Sequence, residues 1–455
     1  YYLGVILDIA DVNQGNNATK LWDVEKITVS GCPKLTFFTK NRFDSDWRPL
    51  SKTPENQCNV PFVKICADGS SEVSKLELSE FSLPDEYQLR LRQDPDGQNP
   101  AVFGKLMLLS ADDEKIEYSY AHPDGVYEAG GSPSNATFKE YHFEVVSTLT
   151  SSVVATLPFQ LYRAPVVMMH GLWANGADTF GEMKFELAGK LWNNDLTYAH
   201  SYPNDVHFAA NSGEAFEAIR VAIQNVAGKG YSVGRVNLVG HSMGGLVSRI
   251  FIQSNAFQND IVRFVTCNTP HSGSQGANLI QELLENFPFL ADHFLRMDKN
   301  PYNGAVEDLQ VNSDAYWGNG GLNYGFGNNV PSHAIITTSS IEQAFGGWAE
   351  WFGGIVANFL GLTQGEELDE FLTNNLYQDA HDVVVAQASQ RGNCPKWSQI
   401  QNQWHVGSTA NSQLINRVEE LLNAHPEDEF STFGFFSPPL LFYNYVFQSG
   451  IAVPG

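Results

Sequence analysis

The sequence predicts an α/β fold with a mostly parallel sheet, preceded by an all-β, sandwich-like region. Three observations carry this expectation. Up to about residue 160 the chain shows short alternating runs and no helical periodicity; at Tyr162-Arg163-Ala164-Pro165 the signals switch to strands alternating with helices; and the apolar run Val236-Asn237-Leu238-Val239 leads into Gly240-His241-Ser242-Met243-Gly244 and then a helix-forming segment. The expected organisation is an all-β accessory domain over 1–160, an α/β domain over 161–425 with a lid or cap insert at about 275–375, and an aromatic tail over 426–455 packed on both.

In the first region the alternating runs fall at 26–29, 34–38, 75–78, 87–91, 105–109 and 141–146, separated by turn signals such as Asp94-Pro95-Asp96-Gly97 and Pro123-Asp124-Gly125. Nothing there reads as chemistry, so the module is expected to bind, space or support. Sequons at Asn17 and Asn135 are compatible with surface loops. In the second region Pro165 opens a strand ending at Met169, the spacing predicts helices over 183–191 and 213–227 with a strand at 197–200 between them, and further strands end near Cys267 and cover 334–338. Leu414, Ile415, Val418, Leu421 and Leu422 follow the helical period of a terminal helix. Between 341 and 360 lies an almost charge-free segment broken by Gly346, Gly347, Gly353 and Gly354; its apolar surface must be covered, either as a hinged lid or as a buried cap helix.

Ser242 is the candidate nucleophile. A serine at a sharp strand-to-helix turn needs unhindered neighbours two positions away on each side, which Gly240 and Gly244 provide, and the following helix directs its positive end at the serine oxygen. Upstream, the strand at 166–169 ends in His170-Gly171-Leu172.

Together these two motifs resemble the α/β-hydrolase lipases and esterases, over roughly residues 165–423. The resemblance implies an oxyanion hole built from the backbone N–H groups of Leu172 and Met243, with His170 orienting the turn and His241 acting as a polar neighbour. It also implies the chain order serine, acid, histidine. Of the downstream histidines, His271 sits in a loop leaving a strand, His293 in the expected cap, His333 just before a strand, His381 beside the acid candidate and His425 beyond the terminal helix. His405, in the loop before that helix, fits the base best. Asp382 lies in a segment similar to the Asp-Gly-x-Val of many lipases, with Val383 in place of the usual glycine; Asp379 is the alternative acid.

Forty-three per cent hydrophobic content over 455 residues supports large buried cores, and a net charge of −24 opposes long-range attraction to nucleic acid and strongly anionic membranes, so no nucleic-acid partner is expected. No apolar run is long and clean enough to span a bilayer. The start, Tyr1-Tyr2-Leu3, lacks an initiator Met, and the chain is expected to be processed or excised from something longer. Among five cysteines, Cys32, Cys58 and Cys66 could form one bridge, whereas Cys267 reads as a buried thiol. No Cys/His cluster has metal-ligand spacing, and no cofactor is expected. The resemblance therefore implies a serine hydrolase of carboxylic esters, lipid acyl esters above all, with transient contact to a lipid interface and an extracellular or cell-surface location. Phospholipase, thioesterase or acyltransferase chemistry would use the same parts. The competing class is a non-catalytic binding or adhesion protein on the same scaffold.

Overall fold

The computed structural model describes residues 33–52, 62–81, 83–286, 288–296, 298–323, 330–340, 343, 354, 357 and 365–433. The run at 26–29, Asn17, Cys32, Cys58, most of the apolar segment 341–360 and the tail beyond 433 lie outside the described residues.

Two five-stranded sheets face each other in the first part of the chain. One contains β1 (Lys34–Thr39), β2 (Arg48–Lys52), β4 (Ser74–Ser79), β6 (Lys105–Ala111) and β7 (Lys115–Ala121), in the antiparallel order β2-β1-β4-β7-β6. The other contains β3 (Val63–Ala67), β5 (Tyr87–Leu91), β8 (Phe138–Ser147), β9 (Val153–Arg163) and the two-residue β12 (Tyr231–Ser232), in the order β12-β3-β9-β8-β5. The period of two along each strand sends Leu35 and Phe37 from β1, Leu76 and Leu78 from β4, and Phe143 and Phe159 from the opposite sheet into one core. Phe143 and Phe159 stack with ring centroids 4.4 Å apart. This is the sandwich that the alternating runs predict.

The remaining strands make a six-stranded parallel sheet in the order β11-β10-β13-β14-β15-β16: β10 (Val166–Met169), β11 (Thr197–His200), β13 (Val236–His241), β14 (Ile261–Cys267), β15 (Ser332–Thr338) and β16 (Trp397–Gln401). Every residue of β10, β13 and β14 is buried, the near-continuous apolar pattern of a sheet covered on both faces. The covering helices include α1 (Gly176–Gly189), α2 (Glu214–Gly228), α3 (Met243–Ile252), α4 (Gln275–Asn286) and α5 (Ser412–Asn423). Helix α1 begins seven residues before the 183 expected from apolar spacing, because the Asn175 side chain caps it by accepting from Asp178 N at 2.9 Å. The sequence reading puts His333 before a strand; it lies within β15.

The two parts share more than a linker. Residue 160 falls inside β9, which runs to Arg163, with only Ala164 and Pro165 between it and Val166 where β10 begins. Strand β12, from the later part of the chain, pairs in parallel with β3 at the sandwich edge. Across this junction Asp68 Oδ2 accepts from the Gly234 and Arg235 amides at 2.7 and 3.0 Å, and its Oδ1 from His122 Nδ1 at 2.9 Å. His122 Nε2 lies 2.7 Å from Ser74 Oγ, which lies 2.7 Å from Ser232 Oγ. The row repeats the order aspartate, histidine, serine, but all four side chains are buried and the hydroxyls are engaged with one another, so it reads as a clamp. Among the described residues, no helix is long and apolar enough to cross a membrane.

Candidate active site

Parallel register sets the site's position. Met169 pairs with Gly240, Gly240 with Thr266 and Cys267 with Ile335, so the segments leaving β10, β13, β14 and β15 emerge at one edge, the carboxyl ends of the strands. Ser242 follows β13 there with φ 54° and ψ −130°, a backbone conformation held by its N–H bond to Cys267 O at 2.9 Å. The glycines around it are a steric requirement. A Cβ on Gly240 would stand 2.6 Å from Gly245 Cα, one on Gly244 would run into the carbonyl oxygens of Met169 and His170, and one on Gly171 would stand 2.7 Å from Ser242 Cβ.

His405, in the loop between β16 and α5, brings its Nε2 to 2.8 Å from Ser242 Oγ. Its Nδ1–H donates to Asp382 Oδ2 at 2.7 Å, and because a carboxylate only accepts, Nε2 is left to accept the serine proton. Asp382 is fully buried, and its Oδ1 accepts from the Val384 and Val385 amides at 3.1 and 2.8 Å. Burial alone would push its carboxyl pKa upward; the His405 charge and hydrogen bond, with Asn268 and Val385, outweigh it and hold the pKa below the ordinary value. The carboxylate therefore stays ionised beside the imidazole. Asp379, the alternative acid, bonds instead to the Ala380 and Ala388 amides at 2.8 and 2.7 Å, close to the start of a short helix. Neither the Leu172 nor the Met243 amide has an acceptor among the described residues, and Leu172 lines the cavity at Ser242.

A family model described as palmitoyl protein thioesterase matches residues 165–319. A triacylglycerol lipase of Burkholderia plantarii is 30% identical over 146 residues, 30% of this chain and 38% of that protein. One of Pseudarthrobacter phenanthrenivorans is 30% identical over 135 residues, 28% of this chain and 39% of that protein. The match thus spans less than half the length of either relative. Solved structures similar to the chain include the propeptide form of Bacillus licheniformis lipase BlEst2, with TM-score 0.38 and 19% identity over 60% of this chain and 52% of that one. EstA from Clostridium botulinum has TM-score 0.35 and 15% identity, over 57% and 87%. The chain carries an α/β-hydrolase domain of the lipase and esterase type.

In this hydrolase domain further groups support the three side chains, and of these Asn268 lies outside the motifs. Asn268, just past β14 with φ 54°, donates Nδ2 to Asp382 Oδ2 at 2.9 Å and to Thr337 Oγ1. His241 donates Nε2–H to the His405 carbonyl at 3.2 Å; burial first, and the His405 charge second, lower its pKa to about 3, so it stays neutral. His170 orients the upstream turn, its Nδ1–H donating to Gly171 O at 2.9 Å and its Nε2 accepting from Tyr202 N at 3.2 Å. Tyr202 OH in turn donates to His170 O at 2.6 Å. Four other downstream histidines point elsewhere: His271 lies beside Thr266 and Arg249, His333 bonds Glu429 O, His381 accepts from the Val383 amide, and His425 donates to Gly131 O. Cys66 and Cys267 are buried free thiols, Cys267 pushed up to about 12 by burial.

Ser242 and His405 open onto a cavity of about 360 Å³ whose walls are largely apolar, with Ile280, Val306, Leu309, Val384 and Val406 among the lining residues. Val383 takes the turn after Asp382 with φ 77°, the position where the resemblance expects glycine.

Proposed function

We propose that the protein is a serine hydrolase that cleaves carboxylic esters of lipids through an acyl-enzyme. The observation that carries the reading is the unbroken row from Ser242 Oγ to His405 to the buried Asp382, opening on an apolar cavity. His405 Nε2 takes the serine proton as Oγ attacks the ester carbonyl. The imidazolium that forms is stabilised by Asp382, whose charge is kept by its own donors. The developing oxyanion is received by the Leu172 and Met243 amides, each such donor worth on the order of 3 kcal/mol in the transition state. His405 then protonates the leaving alcohol, and water releases the acyl group by the same path in reverse.

A second reading, thioester cleavage, is favoured by the palmitoyl protein thioesterase model over 165–319. The same nucleophile and base would serve, with a thiol leaving. A fluorophosphonate probe should label wild type and not Ser242→Ala, and wild type should hydrolyse p-nitrophenyl esters that the variant leaves intact. Absence of labelling and turnover in wild type would favour the non-catalytic binding protein. A palmitoyl thioester cleaved much faster than the matched oxygen ester would move the assignment to the second reading.

A further inference from the structure

One polar feature of the catalytic cavity is not used by the proposed chemistry. Lys299, in the insert after β14, lines the cavity that Ser242 opens onto, and it is half-buried. Its ammonium lies 5.3 Å from the centre of the Trp173 ring and makes one long bond, 3.4 Å, to the Trp173 carbonyl. Trp173 directly follows Leu172, so the cation is held against the turn expected to carry an oxyanion donor. Among the described residues no carboxylate pairs with Lys299. Asp178, the one acidic residue among the described residues that line the cavity, is exposed and accepts from Asn175 Nδ2 at 2.6 Å. Burial holds the lysine pKa below its ordinary value.

A partly desolvated ammonium without a counter-ion is costly unless a ligand supplies the charge. In a chain of net charge −24, an unpaired cation in the substrate cavity is also against the general trend. The apolar walls formed by Ile280, Val306, Leu309 and Val384 suit the hydrocarbon of an acyl chain, which leaves the Lys299 corner, partly open to solvent, for the alcohol half.

We infer that Lys299 binds an anionic group on the alcohol side of the substrate, so that the preferred esters are acyl lipids with a phosphate-bearing headgroup rather than neutral glycerides. This rests on the ester hydrolase reading above. The Trp173 contact alone would make Lys299 only a strut between insert and turn, and the test must separate the two roles.

Dimyristoyl phosphatidate and dimyristoylglycerol, presented in the same neutral-detergent micelles, form the substrate pair, and the ratio of their kcat/KM values is the readout. Lys299→Met keeps the apolar stem on Trp173 and should lower the phosphatidate-to-diacylglycerol ratio about tenfold, the size of one lost hydrogen bond to a charged group. Lys299→Glu should lower it further and Lys299→Arg should largely preserve it. A strut would scale both substrates together, and a ratio unmoved in Lys299→Met overturns the inference. So does a change confined to p-nitrophenyl hemisuccinate against p-nitrophenyl butyrate, which would put the anion on the acyl side. Fluorophosphonate labelling of Ser242 in the same preparations tells the two failures apart: labelling with an unmoved ratio rejects only the anion site, whereas no labelling rejects the hydrolase reading beneath it.

Discussion

Asn268 shows how much of the site depends on side chains that no motif announces. Its amide nitrogen bridges Asp382 Oδ2 and Thr337 Oγ1, and both side chains are buried where water cannot replace it. Removing it would leave a buried carboxylate short of a donor, at a cost of about 1–3 kcal/mol. Asn268→Ala is therefore expected to lower the denaturant midpoint and to cut kcat for ester hydrolysis about tenfold, because the imidazole would be held by a less firmly oriented carboxylate. Turnover equal to wild type would mean that Asp382 needs no such support. The choice between Asp382 and Asp379 has the same character. Both are loop aspartates three positions apart, and only the fold turns one toward His405 and the other toward the Ala388 amide.

At the scale of elements, legibility followed periodicity. The runs at 34–38, 75–78, 87–91 and 141–146, the elbow after β13 and helix α5 each carry a pattern dictated by burial, and each formed where that pattern lies, whereas the run at 105–109 formed the largely exposed strand β6. Strand β12 is two residues long and β16 is only partly buried, so neither has a run of apolar positions to announce it. Helix α1 starts just after a capping asparagine, seven residues ahead of the Met183 at which the apolar spacing begins, and apolar spacing cannot detect a cap. The turn after Asp382 illustrates the opposite case, a local rule broken at the site. Val383 is buried and sits at φ 77°, a region costly for a β-branched residue, and Tyr377 OH donates to its carbonyl at 2.7 Å. Alanine there would lose the buried methyl groups and keep the strain, whereas glycine would lose them and relieve it. Val383→Gly is thus expected to be more stable than Val383→Ala by about 1 kcal/mol, the reverse of the order in an ordinary buried strand. Urea midpoints of the two variants decide it, and alanine above glycine would show that the positive φ stores no strain.

For the whole molecule the decisive feature is the clamp between sandwich and hydrolase sheet. Asp68 is fully buried and receives His122 from one side and the Gly234 and Arg235 amides from the other. Buried arginines act beside it: Arg163 donates to Ala136 O and Leu191 O, and Arg263 to Asp124 O and Ala424 O. Separating the two parts would strand these groups, so they should unfold as one unit. Burial raises the Asp68 pKa, but the His122 charge and the donors around it win, and the net shift is downward. A carboxyl with a lower pKa folded than unfolded binds fewer protons in the native state. Its contribution is complete above the unfolded value of about 4 and is lost as the pH falls below that through the folded one. Asp68→Asn, which keeps the shape and removes the charge, should therefore cost about 3 kcal/mol near neutral pH. That deficit should shrink progressively in denaturant titrations carried below about pH 4, where the wild-type carboxyl takes up its own proton. A deficit constant across that range would mean that the clamp depends on shape and hydrogen bonds rather than on the charge of Asp68.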